Sequence, residues 1–192
     1  TAQATFKLLE NLLQWAMSEG GAIVYNPQSV NMAELMSDVC EILQAVAQKK
    51  SIQIECNIEK DLHCFVDLNM MLSVFQNLIS NALKFTPNGG QIYISALTQN
   101  GQVEITVRDT GVGMSDESFQ NFNQRKQIRS EKGTDGEKGS GLGLLLCLQF
   151  IEKNRGNVQV TTQKGEGTIF TICLPIDQTH LPSINHELRM IG

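Results

Sequence analysis

The sequence predicts an α+β fold: a two-layer sandwich in which one mixed, mostly antiparallel sheet carries helices on one face. Three observations lead there. Two stretches, "QIYISALTQNGQVEITVRD" (91–109) and "NVQVTTQKGEGTIFTICLP" (157–175), alternate apolar and polar residues on either side of a turn. The turns are Asn100-Gly101 and Lys164-Gly165-Glu166-Gly167, and alternation of period two around such residues marks β-hairpins. Elsewhere apolar residues recur at three- and four-residue spacing, the helical period. Repeated strand–helix–strand units are missing, which argues against a parallel α/β sheet.

Taken in order, residues 2–18 read as a helix with one apolar stripe, Phe6, Leu9, Leu12, Leu13 and Ala16, ended by Gly20-Gly21. The stripe predicts packing on another helix, from a second chain or folded back on the same domain. The opening "TAQATFKLLENLL" lacks Met and starts in mid-pattern, as expected of a piece of a longer protein. "AIVYNP" (22–27) is an extended link to a helix over 31–49, with Asn31 as its N-cap. Its expected buried stripe is Leu35, Val39, Ile42 or Leu43, and Val46. "SIQIECNI" (51–58) alternates as a strand, and "CFV" (64–66) adds a short one before Asp67, which caps a helix over 68–85.

Residues 115–138 turn polar, with Phe119, Phe122 and Ile128 as apolar anchors. So long a stretch in a compact domain predicts a functional lid or disorder. A helix over 141–154 follows, with Leu142, Leu145, Leu146 and Phe150 inward and Gly156 closing it. Past Pro175 the polar tail is expected to be loose. The domains expected are therefore 1–21, 22–175 with its lid at 115–138, and the tail 176–192.

Composition narrows the function. A chain of 192 residues with 41% hydrophobic content supports one domain with a real core. A net charge of −5 argues against a nucleic-acid partner. No apolar run approaches membrane-spanning length, and no signal peptide opens the chain. Five cysteines, Cys40, Cys56, Cys64, Cys147 and Cys173, sit in apolar-periodic segments without a C-x-x-C pair. That predicts buried free thiols in a reducing, cytoplasmic setting rather than a metal cluster. The parent protein is still free to be membrane-anchored.

The helix over 68–85 raises a question. Opposite its apolar side it carries Ser73, Asn77, Ser80, Asn81 and Lys84. Solvated helix faces favour long charged residues; Ser and Asn compete with the backbone and are poor mid-helix. Positions 77, 81 and 84 lie within about 60° of one another at 3.6 residues per turn, so they form one wall. Two glycine clusters accompany it. "DTGVGM" (109–114) follows a strand directly, so Asp109 stands at a strand end beside Gly111 and Gly113. "GEKGSGLGL" (136–144) sets Gly139, Gly141 and Gly143 at a helix start, where bare N–H groups suit an anion. Neither a Walker loop nor the strand and acidic residue of a Rossmann fingerprint is present.

The succession of these segments resembles the ATP-binding fold shared by DNA gyrase, the HSP90 heat-shock chaperones, mismatch-repair MutL proteins and histidine kinases, the Bergerat fold. Within it, "NLISNALKFTPNGG" is similar to the N box of sensor histidine kinases, "DTGVGM" to the G1 box, "GEKGSGLGL" to the G2 box and "GEGTIF" (165–170) to the final Gly-Thr motif. An F box is weakly matched around Phe119 and Phe122. The resemblance covers about 22–175, and "LLENLLQWA" resembles the end of the dimerisation and phosphoacceptor hairpin.

That resemblance implies an ATP site. Asn81 would ligate Mg²⁺ between the phosphates, with Asn77 one turn earlier and Lys84 as a nearby positive charge. Phe85 would pack beside the adenine and Asp109 would accept from its amine, with Gly111 beside Asp109 and Gly113 letting the backbone approach. Gly139, Gly141, Leu142 and Gly143 would wrap the triphosphate, and Thr168 would complete the adenine pocket. Gyrase-like ATPases carry a Glu where this chain has Asn77, and an amide cannot serve as a general base. Asn77 and Lys84 therefore imply a pocket that keeps ATP for transfer to a histidine, after which a response regulator receiver domain takes the phosphoryl group. The full protein would be a homodimer.

Three functions compete on this reading: the catalytic domain of a sensor histidine kinase, a degenerate nucleotide-sensing module, and a gyrase-like ATPase. Asn77 and Lys84 weigh against the last. The phosphoacceptor helix would precede residue 1. His63 reads as structural or exposed and His180 falls in the tail, while "NHELR" (185–189) matches the start of an H box. For His186 both a tail coincidence and a displaced phosphoacceptor stay open.

Overall fold

The computed structural model describes residues 24–126, 131–137 and 141–177. The helix expected over 2–18, Ile128, Gly139, His180 and His186 lie outside the described residues. In order, the elements are β1 (Pro27–Asn31), α1 (Met32–Lys49), β2 (Gln53–Ile58), β3 (His63–Asp67), α2 (Leu68–Phe85), β4 (Gln91–Gln99), β5 (Gln102–Asp109), α3 (Asp116–Asn123), α4 (Gly143–Lys153), β6 (Asn157–Gln163) and β7 (Gly167–Pro175).

Five strands form a mixed sheet in the order β2-β4-β5-β7-β6, with only the edge pair β2–β4 parallel. Both hairpins fall where the alternation put them. Asn100 and Gly101 have φ of 51° and 74°, which suits the twist of a two-residue hairpin turn. The expected single sheet is corrected in one respect: β1 and β3 pair antiparallel as a separate two-stranded ribbon. The link expected over 22–27 thus becomes a strand only from Pro27, a residue suited to a strand start because it has no N–H to offer the ladder.

The pleat sorts the sheet's two faces. Ile92, Ile94, Val103, Ile105, Val107, Phe170, Ile172 and Leu174 are buried, and they join buried residues of α1, α2 and α4 in one core. Each such side chain contributes roughly 1.5–3 kcal/mol of transfer free energy. The opposite face is polar, with the Arg108 guanidinium 5.9 Å from the Tyr93 ring centroid.

Helix ends follow their caps. Asn31 Oδ1 accepts from Ala33 N (2.9 Å) and Glu34 N (3.2 Å), starting α1. Asp67 Oδ1 accepts from Met70 N (3.0 Å), starting α2. Thr86-Pro87 stops α2, since a residue before proline is pushed out of the helical region. The predicted stripe of α1 needs correction. Leu35 and Val39 are buried, but Ile42 and Val46 are 58% and 47% exposed, while Leu43 is half-buried and Ala47 buried. The buried line runs through Met32, Leu35, Met36, Val39 and Ala47 with Leu43 packed beside it, and Ile42 and Val46, each one position before that line, face outward.

The stretch expected to be a lid or disordered contains α3. Ser115 caps it by accepting from Ser118 N (3.2 Å), and Asp116 and Glu117 sit in its first turn, where acidic residues suit the helix dipole. Phe122 is buried edge-on against Phe170, with centroids 5.7 Å apart. The chain also stays ordered just past Pro175: Ile176 bridges Cys64, and Asp177 N donates to His63 O. Of the five thiols, Cys64 and Cys147 are buried, and burial pushes each up to about 12. Cys40 and Cys173 are half-buried, and Cys56, on the edge strand β2, is exposed. Among the described residues, no helix is long and apolar enough to cross a membrane.

Candidate functional site

The amide wall of α2 is in place. Leu78, Ile79, Ala82 and Leu83 bury the far side of the helix, which leaves Asn77, Asn81, Lys84 and Phe85 half-buried. Asn77 Nδ2 donates to Ser73 O (2.8 Å), one turn back, and this fixes the amide. Its Oδ1 faces the start of α4, where a Cβ added to Gly143 would stand 2.8 Å away. Asn81 makes no side-chain hydrogen bond to another described residue, so its amide oxygen is available. The Lys84 ammonium donates to Glu131 O (2.7 Å) and lies 4.5 Å from the Phe85 ring centroid. Burial lowers its pKa, and the carboxylates of Glu137 and Glu131 oppose that shift.

A second group gathers at the end of β5. Asp109 is buried, and its Oδ1 accepts from Gly111 N (2.8 Å) and Thr168 N (3.2 Å). Burial raises its pKa, and these two N–H bonds pull the other way. Gly111 has no room for a side chain: its Cβ would stand 2.6 Å from both Asp109 Oδ1 and Phe85 O. Gly113 needs its left-handed φ of 73°, with Gln163 O where a Cβ would go. The loop returns to α2 through Val112 N, which donates to Phe85 O (3.1 Å). Thr168 is buried, and its hydroxyl meets Thr162 Oγ1 (3.2 Å), which accepts from Met114 N (2.8 Å).

The start of α4 completes the arrangement. Gly141 has a left-handed φ of 73°, and Leu142 occupies the N-cap position with no side-chain cap bond. The expected residues therefore assemble in three linked pieces: Asn77 with Gly143, Lys84 with Phe85, and Asp109 with Gly111 and Thr168. Phe85 joins the second to the third. Sequence reasoning missed Thr162, Glu131, Thr134, Glu137 and Lys50. Nothing in the sequence distinguished these from ordinary surface polar residues.

Does this arrangement fit a metal-bound nucleotide? A hard cation prefers oxygen donors and keeps several waters, so one unengaged amide with ligand oxygens suffices. Asn81 offers such an amide. Among the described residues, no group of three or more His, Cys, Asp or Glu could hold a metal by itself. The fit is to a cation brought with its ligand.

The comparisons agree with the geometry. Residues 66–178 match the family described as "Histidine kinase-, DNA gyrase B-, and HSP90-like ATPase", and the chain belongs to that family. Sporulation kinase E of Bacillus subtilis is 31% identical over 169 residues, covering 86% of this chain and 22% of its own length. The adaptive-response sensory-kinase SasA of Prochlorococcus marinus is 32% identical over 183 residues, covering 91% and 48%. The chain thus spans less than half of these relatives. Among solved structures, full-length ShkA in complex with AMPPNP has a TM-score of 0.72 at 25% identity, covering 88% of this chain and 35% of that one. Histidine kinase ThkA in complex with response regulator protein TrrA has a TM-score of 0.72 at 18% identity, covering 92% and 48%, a likeness of fold.

Proposed function

We propose that residues 22–175 are the ATP-binding catalytic unit of a two-component sensor histidine kinase, transferring the γ-phosphate to a histidine for relay to a receiver domain. Residues 1–21 would be the end of the phosphoacceptor hairpin of a homodimer. The observation that carries the reading is the amide face of α2: Asn77 stands against Gly143 at the start of α4, where a gyrase-like ATPase would hold a base.

The residues divide the work by chemistry. Asp109, with Oδ1 held by two backbone N–H groups, has its other oxygen to accept from a purine amine; Gly111, Gly113 and Thr168 keep space beside it. Phe85 offers its ring to the base. Lys84 exchanges Glu131 O for phosphate oxygens. The N-terminus of α4 after Leu142, with glycine at positions 139, 141 and 143 of the sequence, would suit the phosphates. Asn81 would hold Mg²⁺, which would supply positive charge to offset that of the phosphates. Asn77 takes up no proton near neutral pH, so water in the pocket is not activated. Phosphoryl transfer then asks mainly for positioning and charge neutralisation. The domain would work in the cytoplasm, where ATP is supplied and its thiols stay reduced.

The test combines this chain with its complete phosphoacceptor hairpin, Mg²⁺ and labelled ATP. Phosphohistidine, lost with Asn81→Asp, is expected. Fast release of inorganic phosphate without it would point to an ATPase, and binding without transfer to a sensing module.

A further inference from the structure

Lys50 belongs to none of the motifs above and sits just past α1, yet its side chain is only 3% exposed. Its backbone is fixed, since Lys50 N donates to Val46 O and Lys50 O accepts from Gly89 N. From that rigid corner the ammonium reaches the carbonyls of Leu83 (2.8 Å) and Lys84 (3.3 Å), Thr134 Oγ1 (2.7 Å) and Glu137 Oε1 (3.2 Å). The two carbonyls lie in the last turn of α2, where the backbone favours a cation. The other two acceptors lie in the segment 131–137.

A buried ammonium is costly unless its acceptors stay in place, so these contacts constrain both elements at once. The segment is built to receive it. Glu137 Oε2 accepts from Asp135 N (2.9 Å), Gly133 N donates to Glu137 O (2.9 Å), and Gly136 N donates to Gly133 O (2.9 Å). Thr134 N donates to Lys84 O (3.0 Å), and Glu131 O takes the Lys84 ammonium. Lys50 therefore grips the same short segment that engages Lys84.

We infer that Lys50 is a positioning residue of the nucleotide site: through Thr134 and Glu137 it holds segment 131–137 on the end of α2 and so sets where the Lys84 ammonium stands. The contacts are independent of the function proposed above, but their consequence for nucleotide rests on it. Lys50 touches no nucleotide group itself. Its loss is expected to weaken ATP retention, with turnover of the bound nucleotide changed much less.

The test uses the full chain in two arms, with Lys50→Met, Lys50→Arg, Glu137→Gln and Thr134→Val. Glu137→Gln and Thr134→Val leave Lys50 in place and change only the partly exposed segment, and a thermal melt of every variant confirms that it is folded before it is compared. Without nucleotide, amide exchange at Thr134 and Gly136 is expected to speed up in every variant except Lys50→Arg. With Mg²⁺ and a non-hydrolysable ATP analogue, Lys50→Met and Glu137→Gln should each weaken binding about tenfold, the size of one charged hydrogen bond. Lys50→Arg should restore most of it, and combining Lys50→Met with Glu137→Gln should be no worse than Lys50→Met alone. Unchanged exchange overturns the anchor. Faster exchange with unchanged affinity overturns the positioning role. A wild-type chain that binds no analogue overturns the nucleotide reading instead, and the exchange arm then decides the anchor alone.

Discussion

The amide oxygen of Asn77 and the backbone of Gly143 stand so close that a methyl group on Gly143 would lie 2.8 Å from that oxygen. Two helices far apart in sequence thus meet at a residue with no side chain, and the contact leaves Asn77 beside the N–H groups that open α4. Gly143→Ala separates packing from function here. Alanine is the better helix former by about 1 kcal/mol, so the thermal midpoint should hold or rise. The added methyl, however, displaces an amide already tied to Ser73 O. ATP-analogue affinity measured by calorimetry should fall about tenfold. Equal affinity would remove Asn77 from the nucleotide wall.

Gly167 and Gly165 share one turn but not one constraint. Both have positive φ, 113° and 84°, yet a Cβ on Gly167 would overlap the Asp109 carbonyl, while Gly165 has open space around it. Gly165→Ala should cost about 1–2 kcal/mol, the left-handed backbone penalty alone. Gly167→Ala adds a backbone clash in the middle of the site and should cost at least about 3 kcal/mol. Urea denaturation of the two variants gives the comparison, and equal costs would mean that β7 does not press on Asp109 as described.

Asp109 carries a pH signature. Burial raises its folded pKa above the unfolded value, against the pull of Gly111 N and Thr168 N. A raised carboxylate works against stability above its folded pKa, and the cost is relieved as pH falls through that value into the ordinary carboxylate range. Asp109→Asn keeps an oxygen for both N–H groups and removes the charge. Its stability relative to wild type should be greatest at neutral pH and should shrink on acidification, while nucleotide affinity is lost at every pH. A constant difference across the titration would mean that Asp109 is not desolvated.

Much of this was legible beforehand, for identifiable reasons. Both hairpins announced themselves because period-two alternation and turn dipeptides agree with each other over long stretches. Asn31 and Asp67 were readable as caps because each precedes an apolar period. The amide wall was visible because Asn and Ser are costly choices on a solvated helix. The exposure of Ile42 was not readable, since at the edge of an apolar stripe the neighbouring layer decides which side is covered. Lys50 was hidden for a related reason. A lysine at the end of a helix is ordinarily solvated, and here it is buried only because α2 and residues 131–137, remote in sequence, close over it.

The helix α3 is the other feature that polarity concealed, and it yields a test of what the stretch between the glycine clusters does. Its cap, Ser115, and the hydroxyl of Ser118 both donate to Glu131 Oε1, which ties the helix to the segment that engages Lys84. Phe122, 4% exposed, anchors its other end on Phe170 of β7. Phe122→Ala should cost about 3–5 kcal/mol, as for a large aromatic removed from a packed core. Phe119→Ala, at a half-buried position, should cost much less. Glu131→Gln should spare stability but loosen the tie, since the charged acceptor shared by the two hydroxyls is gone. Chemical denaturation of the three variants orders them. A small cost for Phe122→Ala would mean that α3 is only loosely attached to the sheet, and that Glu131 has no fixed helix to hold.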